Sequence, residues 1–196
     1  MARLSGKRES PRLAFVPALE ETAARRGVGA VSFEQAYGLH AGYVAGLAGR
    51  ILGRNDEVPD VVQDVFLIAH RRLKDVRQAG ALRTWLGRIT VREASRRLRW
   101  RRLRQFWRPP QGDMDLVADP ASAELRPLVA LLYAALDRLP APARSAWILR
   151  HLLDEPLDQV AELCGCSLAT VKRRIASADA VMAPLLEPDA DDREEP

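Results

Sequence analysis

Apolar residues in this chain recur every three or four positions and almost nowhere every two, which confines it to helices packed on helices. Phe33, Tyr37, His40, Val44, Leu47 and Ile51 are spaced 4, 3, 4, 3 and 4 apart and form one stripe. Gly53 ends that helix, and Asn55 or Asp56 is placed to cap the next, with Pro59 in its first turn. Val61, Val62, Val65, Ile68, Ala69 and Leu73 make the second stripe. The stretch 75–81, with Gly80, reads as a loop. A third helix opens near Leu82 on Leu82, Trp85, Leu86 and Ile89, then turns polar and basic from Arg92. Between about 106 and 127 the periodicity stops at Pro109, Pro110, Gly112, Pro120 and Pro127, the composition of a linker. Helical spacing resumes over 128–139, 141–153, 157–164 and 168–186. No strand-period segment or internal repeat stands out. The expected fold is all-α, with two small helical domains (31–105 and 128–186) joined by a flexible linker (106–127). An N-terminal extension (1–30) precedes them and an acidic tail (187–196) follows.

Charge is distributed unevenly. The chain of 196 residues has a formal net charge of +4, from 30 Lys plus Arg against 26 Asp plus Glu. Only Lys7, Lys74 and Lys172 are lysines, so the basic residues are mostly the planar, permanently charged forks that suit phosphates and base edges. Ten arginines (83, 88, 92, 96, 97, 99, 101, 102, 104 and 108) fall between Leu82 and Arg108 with one acid, Glu93, a local net of +9. The tail carries six acids and Arg193, a local net of −5. The remainder is neutral.

Two cysteines, Cys164 and Cys166, cannot staple a chain of this length, so a reducing cytoplasm is the expected compartment. No apolar run approaches the roughly 18 residues of a membrane span. The basic stretch 1–26 has only a short apolar piece, 13–19, interrupted by Pro17, and reads as a flexible lead-in rather than a signal. There is no glycine-rich phosphate loop, nucleophile–base pair or metal cluster, so an enzyme reading has no support and no cofactor or metal is implied. The two cysteines fall at apolar turn positions with the nearest histidine, His151, on another helix. A zinc site needs about four ligands, so packing is the better account.

The segment Gln159–Ile175 has the layout of a helix-turn-helix. Ala161 is small where two helices would cross, Gly165 stands where the turn needs a left-handed residue, and Ser167 can cap the following helix. Val171 and Ile175 would pin that helix inward. Ser167, Thr170, Lys172, Arg173 and Arg174 then form a groove-reading set. An ordinary helical hairpin is the plainer alternative.

Four stretches together resemble the extracytoplasmic-function (ECF) sigma factors of bacterial RNA polymerase. Asp60-Val-Val-Gln-Asp-Val-Phe-Leu67 is similar to the family's D-L-V-Q-E-V-F-L, and Leu82-Arg-Thr-Trp-Leu-Gly-Arg-Ile89 to F-R-T-W-L-Y-R-I. Ala135-Leu-Asp-Arg-Leu-Pro140 with Arg144 is similar to A-L-x-x-L-P-x-x-x-R. The helix-turn-helix ending Thr170-Val-Lys172 is the fourth, and the four come in family order over 33–186.

The resemblance implies that a first domain binds core RNA polymerase and the minus-ten promoter element. It implies that a second binds the minus-thirty-five element. Asp60, Gln63 and Asp64 match the family's contacts to the polymerase clamp; a solvated acidic face is the alternative. Arg83, Arg88, Arg92, Arg96 and Arg97 then face melted promoter DNA, with Trp100 either stacking on a base or packing on protein. Trp85 reads as core, and Trp107, like Trp100, interleaves with arginines. If about six arginines touch phosphates, log affinity should fall with log salt at a slope of roughly −5. An anti-sigma factor is a further implied partner.

Three departures stand out. Arg92 replaces a frequent Asn, and Pro156 a capping Ser or Thr. Ala176-Ser-Ala-Asp179 stands where the family tends to have H-R-A-R, which predicts weaker or differently aimed contact with the upstream element. A stand-alone helix-turn-helix regulator is the competing reading, and it leaves the first two stretches unexplained.

Overall fold

A computed structural model describes residues 32–53, 56–73, 79–107 and 126–186, and every regular element among them is helical. Helix α1 (Phe33–Leu52) starts at a capping box, in which the Ser32 hydroxyl accepts from the Gln35 N–H and the Gln35 side chain accepts from the Ser32 N–H. It ends at Gly53 with φ 70°, the left-handed conformation glycine adopts without strain.

Helix α2 (Val58–Arg72) has Pro59 in its first turn, as expected, but its N-cap is Glu57 and no side chain caps it. Asp56 is therefore not the N-cap residue, and Asn55 lies outside the described residues. The Glu57 carboxylate is drawn elsewhere, to Arg101 at 3.0 Å. Phe33 packs its ring against Phe66 and His70, and the Tyr37 and Phe66 ring centroids are 4.7 Å apart, which fastens α1 to α2.

After a single 3₁₀ turn (Ala79–Ala81) comes α3 (Leu82–Trp107). It is the central helix, with α1 and α2 on one side and α5 and α6 on the other. That position explains its blurred sequence pattern. Glu93, Ala94, Ser95 and Leu98 are all buried although they lie in the stretch that reads as polar and basic.

Helix α4 (Arg126–Leu136) leads through Leu139 and Pro140 to α5 (Ala141–Trp147). The expected single helix over 141–153 is instead α5 followed by a π-helical turn, Ile148–Leu152. There the Leu153 N–H reaches back to the Ile148 carbonyl at 3.1 Å. Helix α6 (Leu157–Cys164), Gly165 at φ 60° and α7 (Leu168–Leu186) form the helix-turn-helix. Ser167 caps α7 through the Thr170 N–H at 3.3 Å, and Val171 and Ile175 are buried against the rest.

The helices α1–α3 and α4–α7 share one continuous core, from Ala36 and Val44 through Leu86 to Leu149, Val171 and Met182. At their junction the backbones come close. A methyl group on Gly87 of α3 would stand 2.6 Å from both Leu163 Cδ2 and Tyr43 Oη. The buried hydroxyls of Ser95 and Ser145 meet at 2.9 Å.

The last turn of α1 forms the second half of the junction. Its carbonyls have no partner within the helix and carry partial negative charge. Arg144 Nε donates to the Ile51 carbonyl and Nη2 to the Leu52 carbonyl, both at 2.8 Å, while Nη1 pairs with Asp137. Tyr133 Oη donates to the Arg50 carbonyl at 2.9 Å and lays its ring across Gly53, where a Cβ would be 2.3 Å from Cδ1. Arg144 is 1% exposed. Burial pushes its pKa down from the ordinary value, and Asp137 pulls it back.

Candidate polymerase and nucleic-acid interface

On α2 the polar residues Asp60, Gln63 and Asp64 stand off the buried stripe and share one face of the helix with Leu67. Asp60 and Gln63 are exposed, Asp64 is half-buried, and Leu67 is 49% exposed beside them. Leu67 thus adds an exposed apolar side chain to the face that carries the carboxylates. In the sequence Leu67 closes the Asp60–Leu67 motif, and its place one turn beyond Gln63 is the signal that puts it on this face.

Helix α3 divides its arginines. Arg97 donates to Asp64 at 2.8 Å and to Asp60 at 3.3 Å, and Arg96 to Asp64 at 3.2 Å and to Glu93 at 2.7 Å. Two arginines expected to face DNA are thus paired with two acids expected to face polymerase. Arg101 holds Glu57 and the Leu52 carbonyl, and Arg102 donates to the Asp137 and Leu139 carbonyls at 2.9 and 2.7 Å. Arg83 lies over the Tyr43 ring at 4.2 Å. The local charge of +9 is therefore not one open surface. Arg88, Arg92, Arg99 and Arg104 face outward, and Trp100 stands 60% exposed among them.

On α7, Lys172 and Arg173 are exposed, whereas Thr170 is half-buried and shares a 2.9 Å hydrogen bond with Ser167. Arg174 turns back, donating to Cys166 Sγ at 3.2 Å. The recognition set is split between an outward pair and residues occupied with the turn. Asp179 is engaged within the protein. Its carboxylate accepts from Trp147 Nε1 at 3.0 Å and lies 3.2 Å from His151 Nε2, tying α7 to α5 and the π turn.

Between the two helical groups lies a cleft of about 460 Å³. Trp85, Arg88, Arg92 and Arg99 of α3 line one wall, and Cys164 and Arg174 of the helix-turn-helix line the other. Trp85 is partly buried there. Burial pushes the Cys164 thiol up to about 12. Both cysteines pack against the core.

Known proteins share this organisation. The family model described as Sigma-70 region 2 matches residues 36–104, and the one described as Sigma-70, region 4 matches 130–178. The ECF RNA polymerase sigma-E factor of Haemophilus influenzae is 32% identical over 165 residues, covering 74% of this chain and 82% of that protein. The factor of the same name from Escherichia coli K12 is 33% identical over 153 residues, covering 69% and 76%. Among solved structures, CnrH in complex with the cytosolic domain of CnrY matches with a TM-score of 0.52 and 27% identity, covering 81% of this chain and 88% of CnrH. The sigma factor RpoE of Bartonella quintana, solved with the anti-sigma factor NepR, shares the fold at a TM-score of 0.59 and 24% identity, covering 80% and 98%.

Helices α1–α3 and the helix-turn-helix of α6 and α7 thus define a sigma-70-type transcription initiation factor. Within that class the chain belongs to the ECF RNA polymerase sigma factors, which direct the polymerase to promoters and start transcription.

Proposed function

We propose that residues 31–105 of this sigma factor hold core RNA polymerase through Asp60, Gln63, Asp64 and Leu67, and read the minus-ten element through the arginines of α3. In this reading Arg83, Arg88, Arg92, Arg96 and Arg97 line the melted strand, and Trp100 offers a face on which a base can stack. Residues 128–186 read the minus-thirty-five element with Ser167, Thr170, Lys172, Arg173 and Arg174, and 106–127 link the two modules. The chain works in the cytoplasm, catalyses nothing itself, and is held in reserve by an anti-sigma factor.

The observation that carries this reading is the pairing of Asp60 and Asp64 with Arg96 and Arg97. One set of carboxylates occupies the arginines when the chain is alone. Polymerase engaging those carboxylates would release the same arginines for DNA, so core binding and DNA binding are coupled. Geometry adds a second requirement. The two promoter elements are about 25 base pairs apart by name, about 85 Å along a duplex at 3.4 Å per base pair. Arg88 and Arg174 line one cleft, so the two helical groups must separate before both elements are read at once.

Run-off transcription with core enzyme, alongside pull-down of core, tests the assignment. The variant with Asp60→Ala, Gln63→Ala and Asp64→Ala should lose core binding and promoter-dependent transcript while keeping its helical content. Retained core binding overturns the polymerase assignment. Tight, specific binding to isolated duplex without core would favour a stand-alone regulator instead.

A further inference from the structure

We propose that the cleft between the two helical groups is the docking site of the chain's own acidic segment, residues 187–196. The cleft walls carry Arg88, Arg92, Arg99 and Arg174. Among the described residues no carboxylate pairs with Arg88 or Arg99, and Arg174 has only the Cys166 sulfur. The one acid nearby on α3, Glu93, is shared between Arg92 and Arg96 and is 8% exposed. The cleft thus presents several forked cations to one place with little negative charge to answer them. At about 460 Å³ it has room for a short stretch of peptide, not for a duplex.

The segment 187–196 has the complementary charge. It carries Glu187, Asp189, Asp191, Asp192, Glu194 and Glu195 against a single Arg193. It also starts within reach. Helix α7 contributes Arg174 to the cleft and runs on to Leu186, twelve residues and about 18 Å further along its axis. Ten extended residues span up to about 33 Å, enough to return over that distance. Carboxylates accept two parallel hydrogen bonds from an arginine fork, so the match is geometric as well as electrostatic. Occupying this cleft would cover Arg88, Arg92 and Arg174 and leave them closed to nucleic acid. The acidic segment is then an internal competitor for DNA.

Two measurements on the full chain test this. In the first, Ala190→benzoylphenylalanine places a photo-cross-linker in the segment. Cross-links within one chain are expected to peptides holding Arg88, Arg92, Arg99 or Arg174. They should fall several-fold at about 1 M salt, where charges are screened beyond about 3 Å. Cross-links to a second copy, to other surfaces, or none at all overturn the proposal. In the second, the six acids are replaced by their amides, and binding of a fluorescent single-stranded oligonucleotide is measured without polymerase. Affinity should rise by about tenfold, with a steeper salt dependence. Unchanged affinity overturns the proposal. Neither readout involves core enzyme, so failure here is separable from failure of the polymerase assignment.

Discussion

The guanidinium of Arg144 donates to the terminal carbonyls of α1, Ile51 and Leu52, and so fastens the second helical group to the end of the first helix of the first. Nothing within α1 satisfies those oxygens, and Arg144 is itself almost fully buried. Each partner is costly to leave alone. Arg144→Met should therefore destabilise the chain by about 2–4 kcal/mol in urea unfolding. It should also enlarge the radius of gyration in solution scattering, as the two groups come apart. Unchanged stability and size would remove Arg144 from this role. Arg144→Lys keeps the charge but cannot bridge two carbonyls, and should fall between the wild type and Arg144→Met.

Cys164 supplies an independent reading of the same opening. With its thiol pushed up to about 12, only about one molecule in ten thousand carries the thiolate at pH 8. Alkylation at pH 8, followed by peptide mapping, should leave Cys164 largely unlabelled in the wild type. Labelling should rise in Arg144→Met, because Cys164 lines the cleft that widens. Fast labelling in the wild type would contradict its burial.

Much of this fold was legible from spacing, and the exceptions have physical causes. Stripes such as Val44, Leu47 and Ile51 marked α1 because one face alone is buried. Gly53, Gly165 and Ser167 marked turns and a cap because their backbone needs are local. The middle of α3 was opaque for the opposite reason. Packed on two sides, it buries Thr90, Glu93 and Ser95, which by type read as solvent-facing. The cap of α2 was missed because Glu57 is drawn to Arg101, 44 positions along the chain. Likewise the pairing of Asp64 with Arg97 spans 33 positions, and helical periodicity carries no information about such a distance.

The arginines of α3 also predict how the free chain responds to salt. With Arg96, Arg97, Arg101 and Arg102 engaged by protein groups, about four outward arginines remain for phosphates. In the variant whose 187–196 acids are replaced by amides, log affinity for single-stranded DNA should fall with log salt at a slope of roughly −3, shallower than the roughly −4 expected if about six were open. Asp60→Ala together with Asp64→Ala removes both carboxylates that hold Arg97 and should steepen the slope by about 0.7. A slope already near −4 in that variant would mean these pairs do not hold in solution.

Asp179 and Ser177 separate structure from recognition on α7. Ser177 is exposed, so Ser177→Arg should preserve the fold and tighten binding to upstream duplex, steepening its salt slope by about 0.9. Asp179→Arg should fail as an added DNA contact. It removes the acceptor for Trp147 and sets a cation beside His151, costing about 1–2 kcal/mol in thermal unfolding. Equal stability of the two variants would show that Asp179 holds nothing.

The socket at the end of α1 is made of main-chain oxygen, which every amino acid supplies alike. Substitution at positions 50, 51 or 52 can alter the core yet cannot delete the acceptors. Heritable tuning of the grip on these particular oxygens is therefore left to Tyr133, Asp137 and Arg144 on the opposing group. A lineage needing a quicker or slower release would be expected to record that history in those three codons, while the acceptors they grip leave no trace in the gene.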